Sequence, residues 1–233
     1  MKNRFPKEPE YTIEGFVCIG RNIPLLFLRY LKQSFQETDC FKALLQDPWK
    51  ALTITGYRSL NIVMLGYRGT GKSVIAKILS KELRRKLCRI DDLIAQTAGK
   101  AIPKIVQQQG WPGFRKLESE IVSRVAGEAQ DSVIDCGGGV VLDDNNITFL
   151  KKEGKCVLLT ASLSTIILRI KKDRNRPALV EGLSFEEEQK KILADRHDKY
   201  QSCADFICDT TTRKPGETAH EIIAFFEEQG WLK

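Results

Sequence analysis

The residues best equipped for chemistry lie between Gly66 and Ser73, where Gly-Tyr-Arg-Gly-Thr-Gly-Lys-Ser fits the pattern G-x-x-x-x-G-K-[ST]. Gly66, Gly69 and Gly71 let backbone N–H groups turn inward around phosphate oxygens, with Arg68 and Thr70 completing the loop. A helix starting at Lys72 adds the anion-favouring potential of its N-terminus. The Lys72 ammonium is a point charge for the β and γ phosphates of a nucleotide, and the Ser73 hydroxyl is suited to Mg²⁺. The motif implies a nucleoside triphosphate and leaves the phosphoryl acceptor open.

Downstream, residues suited to a small anion follow in order: Asp91, Phe114-Arg115 with Glu118, Gly137-Gly138-Gly139, Arg176-Pro177 and Arg196. Guanidinium forks match carboxylate and phosphate oxygens, so several arginines around one pocket imply an acidic substrate, a polyphosphate, or both. Glu118 stands one helical turn beyond Arg115, where a carboxylate can fix a guanidinium. Taken singly, Arg115 with Glu118 is equally the pattern of a surface ion pair, and three glycines are equally the pattern of a turn.

Positioning these groups requires strands that end where the motifs begin. After residue 60, short apolar runs alternate with longer amphipathic stretches, the mark of β-α repeats around a mainly parallel sheet. Leu60 to Leu65 reads as the first buried strand, followed by a helix from about Lys72 to Lys86. Val133 and Ile134, then Cys156 to Leu159, then more weakly Asp205 to Cys208, supply further strands. Helical periodicity recurs at Leu117, Ile121 and Val125, and at Ile222, Ile223 and Phe226 with Pro215 near a helix start. The expected architecture is a three-layer α/β domain over residues 60–233.

These motifs, in their order and spacing, resemble the shikimate kinase family, small P-loop kinases close in fold to nucleoside monophosphate kinases, over roughly residues 60–230. The matches are the loop at Gly66 to Ser73, Asp91 to Ile94, G-x-x-x-F-R-x-x-E at Gly110 to Glu118, and the glycine triplet. R-P at Arg176-Pro177, R-x-x-x-Y at Arg196 to Tyr200, and R-x-P at Arg213 to Pro215 complete the set. The resemblance implies a P-loop kinase fold with a lid and a substrate-binding helical segment, and transfer of the γ-phosphoryl of ATP to the 3-hydroxyl of shikimate. It implies that Asp91 holds and orients the acceptor hydroxyls, that Arg115 and Arg196 clamp the carboxylate with Glu118 orienting Arg115, and that Gly137, Gly138 and Gly139 line the same site. Arg176 would act from a lid spanning about Lys171 to Ser184, while Arg169 and Arg213 would flank the adenine. All of this requires Asp91, Arg115 and Arg196 to converge beyond Lys72.

One position departs from the family's pattern. The family has D-x-D ending at the Asp91 position, its first Asp helping to hold the Mg²⁺ water shell, and here that residue is Arg89. Asp135, two residues before Gly137 at the end of an apolar strand, is a candidate to take the metal-side role, to neutralise Arg89, or to cap a local turn. Arg89 opens a second reading, a nucleotide-binding regulatory protein with little or no turnover. A third is a small-molecule kinase with another acceptor, such as gluconate or a nucleoside monophosphate; the Arg115 and Arg196 pair favours a carboxylated acceptor over a nucleobase.

Composition sets the remaining limits. With 37 Lys and Arg against 30 Asp and Glu, and 42% hydrophobic residues, the chain is a globular protein, not a disordered polyelectrolyte. Residues 1 to 60 hold nine basic and six acidic side chains, so no basic tail singles out nucleic acid as a partner. Seven cysteines, odd in number and without a C-x-x-C pair, read as reduced thiols, and only two histidines argue against structural zinc. The uncharged stretch Val157 to Leu168 is too short to cross a bilayer, and no secretory signal is visible at the N-terminus. The expected location is the cytoplasm. Residues 1–59 carry no catalytic motif and are expected to form an accessory element that packs on the main domain or mediates self-association or partner contact.

Overall fold

The computed structural model describes residues 60–171 and 182–232, together with two strands nearer the N-terminus. The chain divides into two compact units, Met1–Arg58 and Ser59–Lys233. In the first, β1 (Glu10–Ile13) pairs antiparallel with β2 (Phe16–Ile19), so the apolar run at Phe16 is a strand. The apolar runs Ile23 to Leu31 and Phe41 to Leu45 lie outside the described residues, as does any association through them.

The second unit is a five-stranded, wholly parallel sheet between helices. Its strands are β3 (Asn61–Gly66), β4 (Lys86–Arg89), β5 (Ser132–Asp135), β6 (Gly154–Thr160) and β7 (Phe206–Asp209), in the order β4-β5-β3-β6-β7. A parallel sheet covered on both faces needs apolar side chains on both, and all six residues of β3 are buried. Successive side chains point to opposite faces. Ile62 and Met64 therefore pack with Ile75 and Leu79 of α1 (Lys72–Glu82) and Ile222 and Phe226 of α7 (Pro215–Glu228). Val63 and Leu65 pack on the other face, with α2 (Ile90–Ala98), α3 (Ile102–Glu128), α4 (Asp144–Lys152), α5 (Leu163–Ile170) and α6 (Phe185–Cys203). Each fully buried aliphatic side chain contributes about 1.5–3 kcal/mol. Together the two faces set the three-layer arrangement.

Local chemistry sets the ends of the elements. Ser184 and Glu187 form a capping box that starts α6, and the Ser162 and Asp143 side chains accept backbone N–H groups at the starts of α5 and α4. Buried Asn61 donates to Ala129 O at 2.8 Å and accepts from Ser132 N at 3.0 Å, tying the end of α3 to the start of β5 beside the central strand.

The first helix is shorter than its composition suggests. It stops at Glu82, and Lys86 opens an edge strand instead of closing the helix. No glycine or proline marks the stop; Arg84 turns the chain by adopting a φ of 54°, uncommon outside glycine. Helix α3 is broken once, at Gly110, whose φ of 67° and ψ of 177° redirect the segment carrying Phe114, Arg115 and Glu118.

Candidate active site

The phosphate-binding loop leaves the central strand at Gly66, where φ is 138° and a Cβ would lie 2.4 Å from Leu159 O, so a larger residue would force strand and loop apart. The loop then closes around one carbonyl. Tyr67 O accepts from Thr70 Oγ1 at 2.7 Å and from Lys72 Nζ at 2.9 Å. Lys72 begins α1 and is largely buried, Gly71 before it has a φ of 93°, and Ser73 follows exposed.

Arg68 and Arg169, together with Tyr67, Glu188, Gln189 and Thr210 that sequence reasoning passed over, fasten this loop on two sides. The Tyr67 hydroxyl donates to Gln189 Oε1 at 2.7 Å and accepts from Arg68 Nε at 3.2 Å, while an Arg68 terminal nitrogen lies 3.9 Å from Glu188. Both partners, Gln189 and Glu188, sit near the start of α6. On the opposite side Arg169 donates to Gly69 O at 3.1 Å and to Thr210 O at 2.6 Å, and the Thr210 hydroxyl lies 2.9 Å from Thr70 O. Tyr67 and Thr210 are ordinary residues in a sequence, and only the fold reveals them as ties. Arg213 pairs with Glu221 and donates toward Cys208 Sγ at 3.6 Å, beside the first turns of α7.

The acceptor candidates meet at the glycine triplet. A Cβ on Gly137 would stand 2.7 Å from Glu118 Oε1 and 2.9 Å from Asp91 Oδ1, and a Cβ on Gly139 would stand 2.2 Å from the Arg115 guanidinium. The Gly138 carbonyl accepts from Arg196 at 2.9 Å and from the Tyr200 hydroxyl at 2.5 Å, and a Cβ there would lie 3.5 Å from Gly66 O. A side chain at Gly137 or Gly139 would therefore displace the carboxylates of Glu118 and Asp91 or the guanidinium of Arg115 from the positions they hold. Asp91 from α2, Arg115 and Glu118 from α3, and Arg196 from α6 converge on one short segment beside the phosphate loop. Arg176 lies outside the described residues, as does most of the segment between Lys171 and Ser184.

Electrostatics within the cluster are uneven. Glu118 is 1% exposed and pairs with Arg115 at 2.5 Å, which excludes the surface-pair reading. Its Oε1 is buried with no hydrogen-bond partner among the described residues. Burial raises the Glu118 carboxyl above the usual glutamate range, with Arg115 opposing and Asp91 adding to the rise. Arg115 also lies 5.4 Å and 5.1 Å from the rings of Trp111 and Phe114, which hold its plane while leaving it partly open.

Asp135, at the end of β5, lies near the Ser73 side chain, Lys72, Asp91 and Arg89. Burial raises its carboxyl, while Ser73 and Lys72 pull it down. Arg89 lies beside it on β4, with Nε 3.8 Å from Asp135, but its closer contact is Asp92 at 2.7 Å. A hydroxyl and a carboxylate held side by side, both hard oxygen donors, form a fitting pair for Mg²⁺.

Comparison with known proteins points one way. A family model described as shikimate kinase matches residues 68–227. A shikimate kinase of Thermodesulfovibrio yellowstonii is 37% identical over 167 residues, 72% of this chain and 95% of that protein. One from Pelotomaculum thermopropionicum is 33% identical over 173 residues, 74% of this chain and 99% of that protein. Among solved structures, shikimate kinase from Acinetobacter baumannii in complex with shikimate matches with a TM-score of 0.69 at 26% identity, covering 75% of this chain and 97% of that one. Shikimate kinase from Aquifex aeolicus matches with a TM-score of 0.64 at 27% identity, covering 73% and 98%.

Proposed function

Since this chain belongs to the shikimate kinase family, we propose that it transfers the γ-phosphoryl group of ATP to the 3-hydroxyl of shikimate, giving shikimate 3-phosphate and ADP. The observation that carries this reading is the convergence of Asp91, Arg115 and Arg196 on Gly137 to Gly139, immediately beside Gly66 and Lys72.

The loop from Gly66 to Ser73 holds the triphosphate, with Lys72 at the β and γ phosphates. Arg115 and Arg196 take the shikimate carboxylate, with Glu118 fixing the Arg115 fork. Asp91 accepts hydrogen bonds from the ring hydroxyls and receives the proton of the attacking one. That oxygen forms the new bond to the γ-phosphorus as the bond to the β-γ bridging oxygen breaks, and ADP departs. Lys72 balances charge on the transferring group, a task the family resemblance also gives to Arg176, which lies outside the described residues. Arg68, Thr70, Arg169 and Arg213 frame the nucleotide side. Ser73 and Asp135 are the residues that would hold Mg²⁺, which when bound neutralises charge on the β and γ phosphate oxygens. Catalysis of this kind is mainly positioning, and the site is built from rigid elements suited to it.

The product belongs to the route toward chorismate and the aromatic amino acids. Among the described residues five cysteines are free and buried, which suits a reducing compartment, in keeping with a cytoplasmic enzyme. Among the described residues no helix is long and apolar enough to cross a membrane.

ADP release measured with shikimate, gluconate and a nucleoside monophosphate, each with and without Mg²⁺, tests the proposal. Shikimate- and Mg²⁺-dependent ADP release is expected. Release with another acceptor alone, or nucleotide binding without turnover, would overturn it.

A further inference from the structure

The cation at Arg89 stands where it would oppose a bound metal, yet the structure surrounds it with a specific set of partners. Arg89 and Asp135 are direct register partners in the pairing of β4 with β5, and Asp135 is in turn the register partner of Met64, two residues before the phosphate loop begins. The strand ends therefore place Asp135 between Arg89 and the loop. Burial differs sharply across the pair: the Asp135 side chain is 7% exposed and that of Arg89 is 46% exposed. The carboxylate faces inward and the guanidinium outward.

The contact distances distribute the bonding in the same way. At 3.8 Å, Arg89 Nε is too far from Asp135 to hydrogen-bond, whereas its Nη1 reaches Asp92 at 2.7 Å, three residues along the chain at the start of α2. Asp135 instead lies close enough to Ser73, the first-turn hydroxyl of α1, and to the Lys72 ammonium to feel both. Arg89, Asp92 and Asp135 together carry one net negative charge, with the cation tied toward solvent. A compact ion beside Ser73 would meet the carboxylate before the guanidinium.

We propose that Asp135 is the carboxylate that holds the metal-bound water shell in this chain, and that Asp92 tethers Arg89 as an outward counter-charge so that Arg89 does not repel the metal. This rests on the phosphoryl-transfer reading above for the identity of the ion, Mg²⁺, and adds the residues that make room for it.

The test measures metal binding directly, by electron paramagnetic resonance of Mn²⁺ added to the full-length protein with β,γ-methylene-ATP. Asp135→Asn is expected to weaken Mn²⁺ affinity about ten- to a hundredfold, the usual cost of losing an outer-shell partner, while affinity for the nucleotide without metal stays within about twofold. Asp135→Ser, smaller and still polar, should weaken it similarly, and binding of metal-free nucleotide shows that each variant is folded. Asp92→Asn should produce a smaller loss that is reversed in Arg89→Met/Asp92→Asn, because the tether matters only while the cation is present. Unchanged Mn²⁺ affinity in both Asp135 variants would overturn the proposal, as would a loss in Asp92→Asn that persists without Arg89. Because no acceptor is present, these outcomes are independent of turnover: failure to phosphorylate shikimate would overturn the functional reading and leave this one standing.

Discussion

Glu118 shows how one residue can be costly to the fold and useful to the site. Its carboxylate is buried, one oxygen bonds Arg115, and the other lacks a hydrogen-bond partner among the described residues. Desolvation raises its ionisation above the ordinary glutamate value of 4.5, so as pH climbs the unfolded chain loses its proton first. Stability from this group is fully present below about that value and declines as pH passes through the raised folded-state value. Glu118→Gln removes the titration. The melting temperature of Glu118→Gln relative to the parent should therefore move in the variant's favour as pH rises above 4.5, while its KM for shikimate rises because Arg115 loses its anchor. Melting curves across that range check the first part; a difference that does not change with pH would show that Arg115 fully compensates the burial. The sequence spacing from Arg115 to Glu118 made the pair legible. Its burial was not, because that depends on Gly137 pressing against it from a distant strand end.

At the scale of elements, α3 aims the acceptor clamp, and Gly110 aims α3. A φ of 67° with ψ of 177° belongs to a region essentially closed to side-chain-bearing residues, so Gly110→Ala should cost about 1–3 kcal/mol of stability. Because the bend lies just before Arg115 and Glu118, the same variant should raise KM for shikimate more than KM for ATP; equal effects on both would show that the bend serves folding alone. The sequence disclosed most of the sheet, since apolar runs ending in glycine or polar residues mark strands whose two faces are covered. Edge strand β4 escaped notice for the converse reason. Its four residues, Lys86 to Arg89, are half charged, and only Cys88 is buried. The helix before it reads as running on to Lys86 because Arg84 makes the turn without glycine. The convergence of Asp91, Arg115 and Arg196 was expected from motif order, whereas the ties from Tyr67, Gln189 and Thr210 were invisible, being long-range contacts between residues of no distinctive spacing.

For the molecule as a whole, the question is how much chain the chemistry needs. Every described residue of the site lies in the unit Ser59–Lys233, whose sheet buries β3 between two cores whose described members all follow residue 60. The relatives make the same point by their length: the matched 167 and 173 residues cover 95% and 99% of those proteins, so a fold of this size stands in them with almost nothing added. A domain of about 170 residues buries roughly 70% of the surface of its unfolded chain, enough for independent stability. A chain beginning at Ser59 should therefore fold cooperatively, bind ATP, and turn over shikimate with kcat and KM within about threefold of the full-length protein, a change of under about 1 kcal/mol. Steady-state kinetics and thermal melting of the two proteins side by side check this. A melting temperature preserved while KM for one substrate rises tenfold or more would show that residues 1–58 complete the site, and a collapse of the melt would show that they complete the fold.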